Sequence, residues 1–244
     1  MSAASPAGAT RTLDLGPSPR RTVVFVGAFD PMHRAHVQKA ATAARLVRGT
    51  CLVMPIAHIP HKPDVADIGI RLEIIRAQIA SLPDVQVVEE TPGLHSENYM
   101  FELAAGHGDR VFSLLGRDSF NAIDALSCAA DIVNHTTTIV AARDGYVLDD
   151  VASVTHGLAR FDPVGHTDPI LDLAASGVEV LGTWRNAAPP HHQIVHAVLG
   201  DLSRSSQHLR TTSIAAGADL AEHVADATAA ALIRLHYGPP GVST

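Results

Sequence analysis

Short, continuously apolar runs alternate along this chain with stretches whose apolar positions recur every three or four residues. Residues 22–26 and 51–55 are runs of the first kind and read as strands; 85–88, 111–115, 138–142 and 178–181 repeat the pattern. The intervening stretches differ. Residues 35–48 are Ala-rich, carry apolar side chains at helical spacing and stop at Gly49. Residues 70–81 place Leu72, Ile75 and Ile79 on one face, and 99–105 and the Ala-rich 220–235 also read as helices. Strand, helix, strand, helix in this order implies parallel pairing through right-handed crossovers. Strands that are apolar throughout are those covered on both faces. The pattern predicts an α/β domain with a doubly wound parallel sheet and a C-terminal helical segment, spanning 22–237. Residues 1–21, rich in Ala, Ser, Pro and Gly, are expected to form a disordered tail, and 238–244 a short second tail.

Residues 148–203 break the rhythm. They hold Pro163, Pro169, Pro189-Pro190 and His191-His192, and read either as an insertion carrying specificity or as a loop-rich connection. Composition adds bounds. Hydrophobic residues at 46% and charged residues at 18% are those of a globular chain. A formal net charge of −7 argues against a general nucleic-acid or membrane-surface binder, which needs a basic patch. Nothing at the start resembles a secretory signal and no run is long enough to span a bilayer, so a cytoplasmic protein is expected. Cys51 and Cys128 make no disulfide framework and read as small core residues. His58, His61, His191, His192 and His196 read as scattered surface residues with no metal assigned. Homo-oligomerisation is left open.

The densest chemistry lies in Val26-Gly27-Ala28-Phe29-Asp30-Pro31-Met32-His33-Arg34-Ala35-His36. A buried strand, a Gly-containing turn and two histidines three apart at a helix start bring imidazoles, backbone N–H groups and a positive helix end together. Phosphates bind well in such a place, at the carboxyl edge of a sheet. The alternatives are two polar residues on an exposed first turn, or half of a metal site; with no Cys or carboxylate completing it, the latter ranks last. After the second strand comes Met54-Pro55-Ile56-Ala57-His58-Ile59-Pro60-His61-Lys62-Pro63, a Pro-braced loop carrying a lysine. Gly116-Arg117-Asp118 follows the fourth strand and Ala142-Arg143-Asp144-Gly145-Tyr146 the fifth. Ser205-Ser206-Gln207-His208-Leu209-Arg210 precedes the closing helix. Taken singly, these read equally as surface loops, turns or helix caps.

In register, the first segment resembles the nucleotidyltransferase signature G-G-[ST]-F-D-P-x-H-x-G-H. Gly27, Phe29, Asp30, Pro31, His33 and His36 match it; Val26, Ala28 and Ala35 depart from it. The second resembles the P-N-x-x-P-P-H-K of the nicotinate-nucleotide adenylyltransferases through Pro55, Pro60, His61 and Lys62, with Ile56 and Ile59 as departures. Gly116 and Asp118 fit that family's Gly-x-Asp, Arg143 its x-R-P-G-Y, and Ser205, Ser206 and Arg210 its I-S-S-T-x-[IV]-R. A competing register through Thr211, Thr212 and Ser213 loses the arginine.

The resemblance implies a Rossmann-like nucleotidyltransferase fold and an adenylyltransferase that moves AMP from ATP to a phosphate-bearing acceptor, first of all nicotinate mononucleotide. Mg²⁺ would accompany ATP. It implies catalytic roles for His33, His36, Lys62 and Arg210. Nucleotide binding would fall to Gly27, Ala28, Phe29, Gly116, Asp118, Arg143, Ser205 and Ser206, and acceptor binding to His61, Lys62 and Tyr99. Two alternatives stand beside it: a related enzyme with another phosphate or phosphonate acceptor, and a degenerate nucleotide sensor without turnover, suggested by the departures. The family's tryptophan after the Gly-x-Asp helix is missing. The only tryptophan, Trp184, lies in the segment that breaks the rhythm.

Overall fold

The computed structural model describes residues 21–57, 64–88, 110–123, 129–143, 148–165, 167, 171–200, 206–214 and 219–238. Among them, eight strands form one sheet in the order β3-β2-β1-β4-β5-β8-β7-β6. These are β1 Thr22–Gly27, β2 Thr50–Pro55, β3 Val85–Val87, β4 Val111–Gly116, β5 Thr137–Ala141, β6 Phe161–Pro163, β7 Glu179–Asn186 and β8 Gln193–Val198. From β3 to β8 every pairing is parallel. The chain winds outward from β1 to β2 and β3, then returns to β4 on the other side. The point of reversal lies between β1 and β4, where open α/β sheets bind ligands beyond the strands' carboxyl ends.

The helices are α1 Arg34–Val47, α2 Ile68–Ile79, α3 Arg117–Asn121, α4 Ala129–His135, α5 Val151–Val154, α6 Leu173–Ser176, α7 Ser206–His208 and α8 Ala227–Tyr237. One face of the sheet carries α1 and one side of α2: Val37, Ala40, Ala43, Leu46, Ile75 and Ile79 pack on Val23, Phe25, Val53 and Leu114. The other carries α3 and α4, with Phe120, Ile123, Ile132 and Val133 on Val24, Leu115, Val140 and Ile194. The C-terminal residues Leu209, Ile214, Leu220, Val224 and Ile233 cover the outer side of α2 around Ile74.

The expected doubly wound α/β fold is present, and the structure refines it in several places. The sheet is not purely parallel, because β7 runs antiparallel to both β8 and β6. Only 178–181 was legible as a strand in 148–203, yet β6, β7 and β8 all lie there; prolines and histidines masked the apolar run of β8, whose neighbour in the sheet is β5. Helix α1 stops before Gly49 as expected, with Arg48 as its C-cap in the left-handed conformation (φ 53°). Gly49 is needed for another reason: a Cβ there would meet the Arg21 carbonyl oxygen at 1.9 Å. The closing helix is broken, with a 3₁₀ turn Leu220–Glu222 before α8; Asp226 caps α8 by accepting from the N–H of Thr228 and Ala229. The expected helix at 99–105 lies outside the described residues.

Candidate active site

Three loops meet at the carboxyl ends of β1, β4 and β5. The first is 28–33. Gly27 is required there because the Phe29 ring lies over it: a Cβ would come within 3.1 Å of that ring. Phe29 in turn stands edge-on to Phe25 (centroids 5.0 Å apart) and to His36 (5.3 Å). Phe29 is 3% exposed, so its ring buttresses His36 from below and reaches a ligand only through its backbone. The imidazoles of His33 and His36 lie with centroids 4.0 Å apart. His33 is the N-cap of α1 and buried; His36 is half-buried one turn on.

The backbone N–H of His33 donates to Nδ1 of His36 (3.4 Å), which fixes the neutral tautomer and leaves the proton on Nε2. Burial, then the neighbouring His33, Lys39 and Arg143, hold the His36 pKa well below the ordinary 6.5. The helix end itself is less open than the sequence implies. The Arg34 N–H donates to the His223 carbonyl (2.7 Å), and those of His36 and Val37 to the His33 carbonyl.

The second and third loops are joined by charge. Asp118, at the start of α3, accepts from Arg143 after β5 (2.6 Å) and from Arg117 (2.8 Å). Gly116 N-caps α3, as a Gly-x-Asp turn allows.

The C-terminal motif docks on the first. Arg210, in the π-helical turn Leu209–Ile214, donates through one nitrogen to both the carbonyl and the carboxylate of Asp30. Ser206 Oγ donates to the Pro31 carbonyl (3.0 Å), and Tyr237 Oη to Asp30 Oδ1 (2.5 Å). Burial and the Asp30 carboxylate push the Tyr237 pKa up, so it stays a donor. Asp30, 2% exposed, is therefore an internal anchor and not a solvent-facing group of the motif.

Sequence reasoning missed Arg71. It is fully buried on α2 and donates to the carbonyls of Ala28, Ile56, Ala57 and Ala66. It ties the first motif to the loop after β2 through atoms that every residue type carries. An arginine set among the apolar positions of the helix, beside Glu73 and Arg76, was the only available signal. Ala35, which stands where the signature has glycine, is 0% exposed and lies in the core. Two histidines read as surface residues are buried strand neighbours: His192 and His196 are each 8% exposed. His61, Lys62, Tyr99 and Ser205 lie outside the described residues.

A family model described as cytidylyltransferase-like matches residues 24–153. A probable nicotinate-nucleotide adenylyltransferase of Gloeobacter violaceus is 31% identical over 163 residues, covering 59% of this chain and 74% of its own. That of Solibacter usitatus is 27% identical over 170 residues, 65% of this chain and 89% of its own. The fold is similar to that of Plasmodium falciparum nicotinic acid mononucleotide adenylyltransferase complexed with NaAD, at a TM-score of 0.58 and 14% identity, over 88% of this chain and 94% of that one.

Proposed function

Because the chain belongs to the cytidylyltransferase-like family, among the nicotinate-nucleotide adenylyltransferases, we propose that this nucleotidyltransferase moves AMP from ATP to nicotinate mononucleotide. An acceptor phosphate oxygen attacks the α-phosphorus, the bond to the bridging oxygen of the β-phosphate breaks, and pyrophosphate leaves. No protein nucleophile takes part. The protein's work is to hold two anions in line and to neutralise charge on the leaving oxygens.

One observation carries this reading: the His33–His36 pair and the Arg143–Asp118 pair converge at the reversal point of the sheet. Neutral His36 offers its Nε2 proton to a phosphate oxygen, and an incoming triphosphate favours its protonation. Arg143, whose charge already reaches His36, adds the cation. Arg210 holds the loop through Asp30 with one nitrogen, and the rest of its partly exposed guanidinium serves the phosphates. Lys62, His61, Tyr99 and Ser205 complete this assignment by resemblance alone. Mg²⁺ is proposed to arrive with ATP, held by phosphate oxygens and its own water. Asp118, already bridging two guanidiniums, fits a partner for ribose or for that water better than a direct ligand.

Pyrophosphate release with Mg-ATP tests the proposal, with nicotinate mononucleotide as acceptor and nicotinamide mononucleotide and CTP as controls. Release that depends on nicotinate mononucleotide is expected. Release only with another phosphate-bearing acceptor would move the chain to a different substrate within the same chemistry.

A further inference from the structure

Three distant parts of the chain close on the buried carboxylate of Asp30, and they load its two oxygens unequally. Oδ1 accepts from the Ala66 N–H (3.2 Å), just before α2, and from the Tyr237 hydroxyl (2.5 Å). Oδ2 accepts from Arg210 Nη1 (2.7 Å), and the same nitrogen donates to the Asp30 carbonyl. A carboxylate oxygen offers two lone pairs, so Oδ1 is full.

That loading decides how the arginine is held. A guanidinium and a carboxylate pair best fork to fork, through two parallel hydrogen bonds that engage both oxygens. Here one oxygen is already taken, and Arg210 meets the carboxylate through Nη1 alone. Its Nε and Nη2 protons have no acceptor among the described residues, and the side chain is 36% exposed. The hydroxyl is delivered by its helix. Ala230, Ile233 and Tyr237 share one face of α8, and that face packs with Ile74 of α2. Tyr237 is the last residue of α8, which brings its ring to the first motif.

We propose that Tyr237 is a positioning residue for the reaction: by filling Asp30 Oδ1 it keeps Arg210 on the carboxylate by one nitrogen and leaves the rest of the guanidinium to the ATP phosphates. A buried carboxylate beside a cation competes with a triphosphate for it. A neutral hydroxyl satisfies the carboxylate without neutralising the arginine. When the hydroxyl is lost, Oδ1 has an open lone pair next to the guanidinium. Arg210 then closes on both oxygens as a bidentate pair, and its outer edge turns from the nucleotide. The inference rests on the ATP half of the function proposed above and needs nothing of the acceptor.

Calorimetric titration of the full chain with α,β-methylene ATP and Mg²⁺ tests this without an acceptor. Tyr237→Phe should bind the analogue about tenfold more weakly, the scale of one charge-assisted hydrogen bond. In an Arg210→Ala background the same change should shift affinity by less than about twofold, because no guanidinium is left to withdraw. Adding Asp30→Asn to Tyr237→Phe removes the charge that captures the arginine and should recover the lost affinity. A hydroxyl that only supports the fold would lower the thermal midpoint without this pattern. Native affinity in Tyr237→Phe, or an equal loss with and without Arg210, therefore overturns the inference. Should these variants not fold, a crystal structure of the native chain with the analogue decides. Arg210 is expected to keep Nη1 on Asp30 and to place Nε or Nη2 on a phosphate oxygen. A guanidinium closed on both Asp30 oxygens, away from the phosphates, overturns the inference. A native chain that binds no analogue strikes the ATP reading and the inference together, whereas native binding that ignores Tyr237→Phe strikes the inference alone.

Discussion

His36 concentrates the chemistry of this site in one side chain. Its Nδ1 is engaged by the motif's own backbone, its ring is pinned by Phe29, and its proton is kept on Nε2. Removing a donor aimed at developing charge costs about 10²–10³ in turnover, so His36→Ala should lose that much kcat with an unchanged unfolding midpoint at pH 8. The depressed pKa also makes a stability statement. Below about pH 6.5 the unfolded chain binds a proton at this position that the fold refuses, so stability falls as pH drops from 6.5 toward the folded value. Chemical denaturation at pH 7.5 and pH 5.5 should show a smaller loss for His36→Gln than for the native chain. An equal loss would mean that other groups set the acid limit.

At the scale of elements, the loops are held by backbone carbonyls more than by side-chain pairs. Arg71 of α2 gathers four of them from two segments that both flank the site. Arg71→Met leaves those buried acceptors without their donor and is expected to cost about 3 kcal/mol or more. Urea unfolding measures this; a cost under 1 kcal/mol would show that water replaces the guanidinium freely. Helix α2 thereby acts as a strut. One of its sides packs on the sheet, the other receives the C-terminal cluster, and its arginine braces the site. The periodicity of Leu72, Ile75 and Ile79 shows the first of these roles and nothing of the other two.

In the whole molecule, the end of the chain locks the beginning of the site. Asp30 is clasped by Arg210 and Tyr237, some 180 and 207 residues away, and Gln78 joins the Met32 carbonyl to the Ala225 N–H. Arg210→Ala strips the buried carboxylate of its cation. It should therefore lower stability by about 2 kcal/mol, moderated by Arg210's partial exposure, and raise the ATP KM in the same variant. Thermal unfolding and ATP kinetics on one preparation read both. A silent Arg210→Ala beside damaging substitutions at Thr211 and Thr212 would return the motif to its other register.

Strands β1 to β5, helices α1 and α2, the position of the first motif and its family were legible in the sequence alone. Each depends on local pattern: continuous apolar runs, helical spacing, and a turn whose residues stand close together in the chain. What tertiary structure decided is of another kind. It made Asp30 an anchor, turned Phe29 inward, buried the Ala35 methyl and gave Arg71 its carbonyls. It also extended the sheet through β8 to β7, which set Trp184 opposite Ile194. These outcomes are set by partners distant in the chain, through pairing register and carbonyl oxygens that carry no signature of residue type.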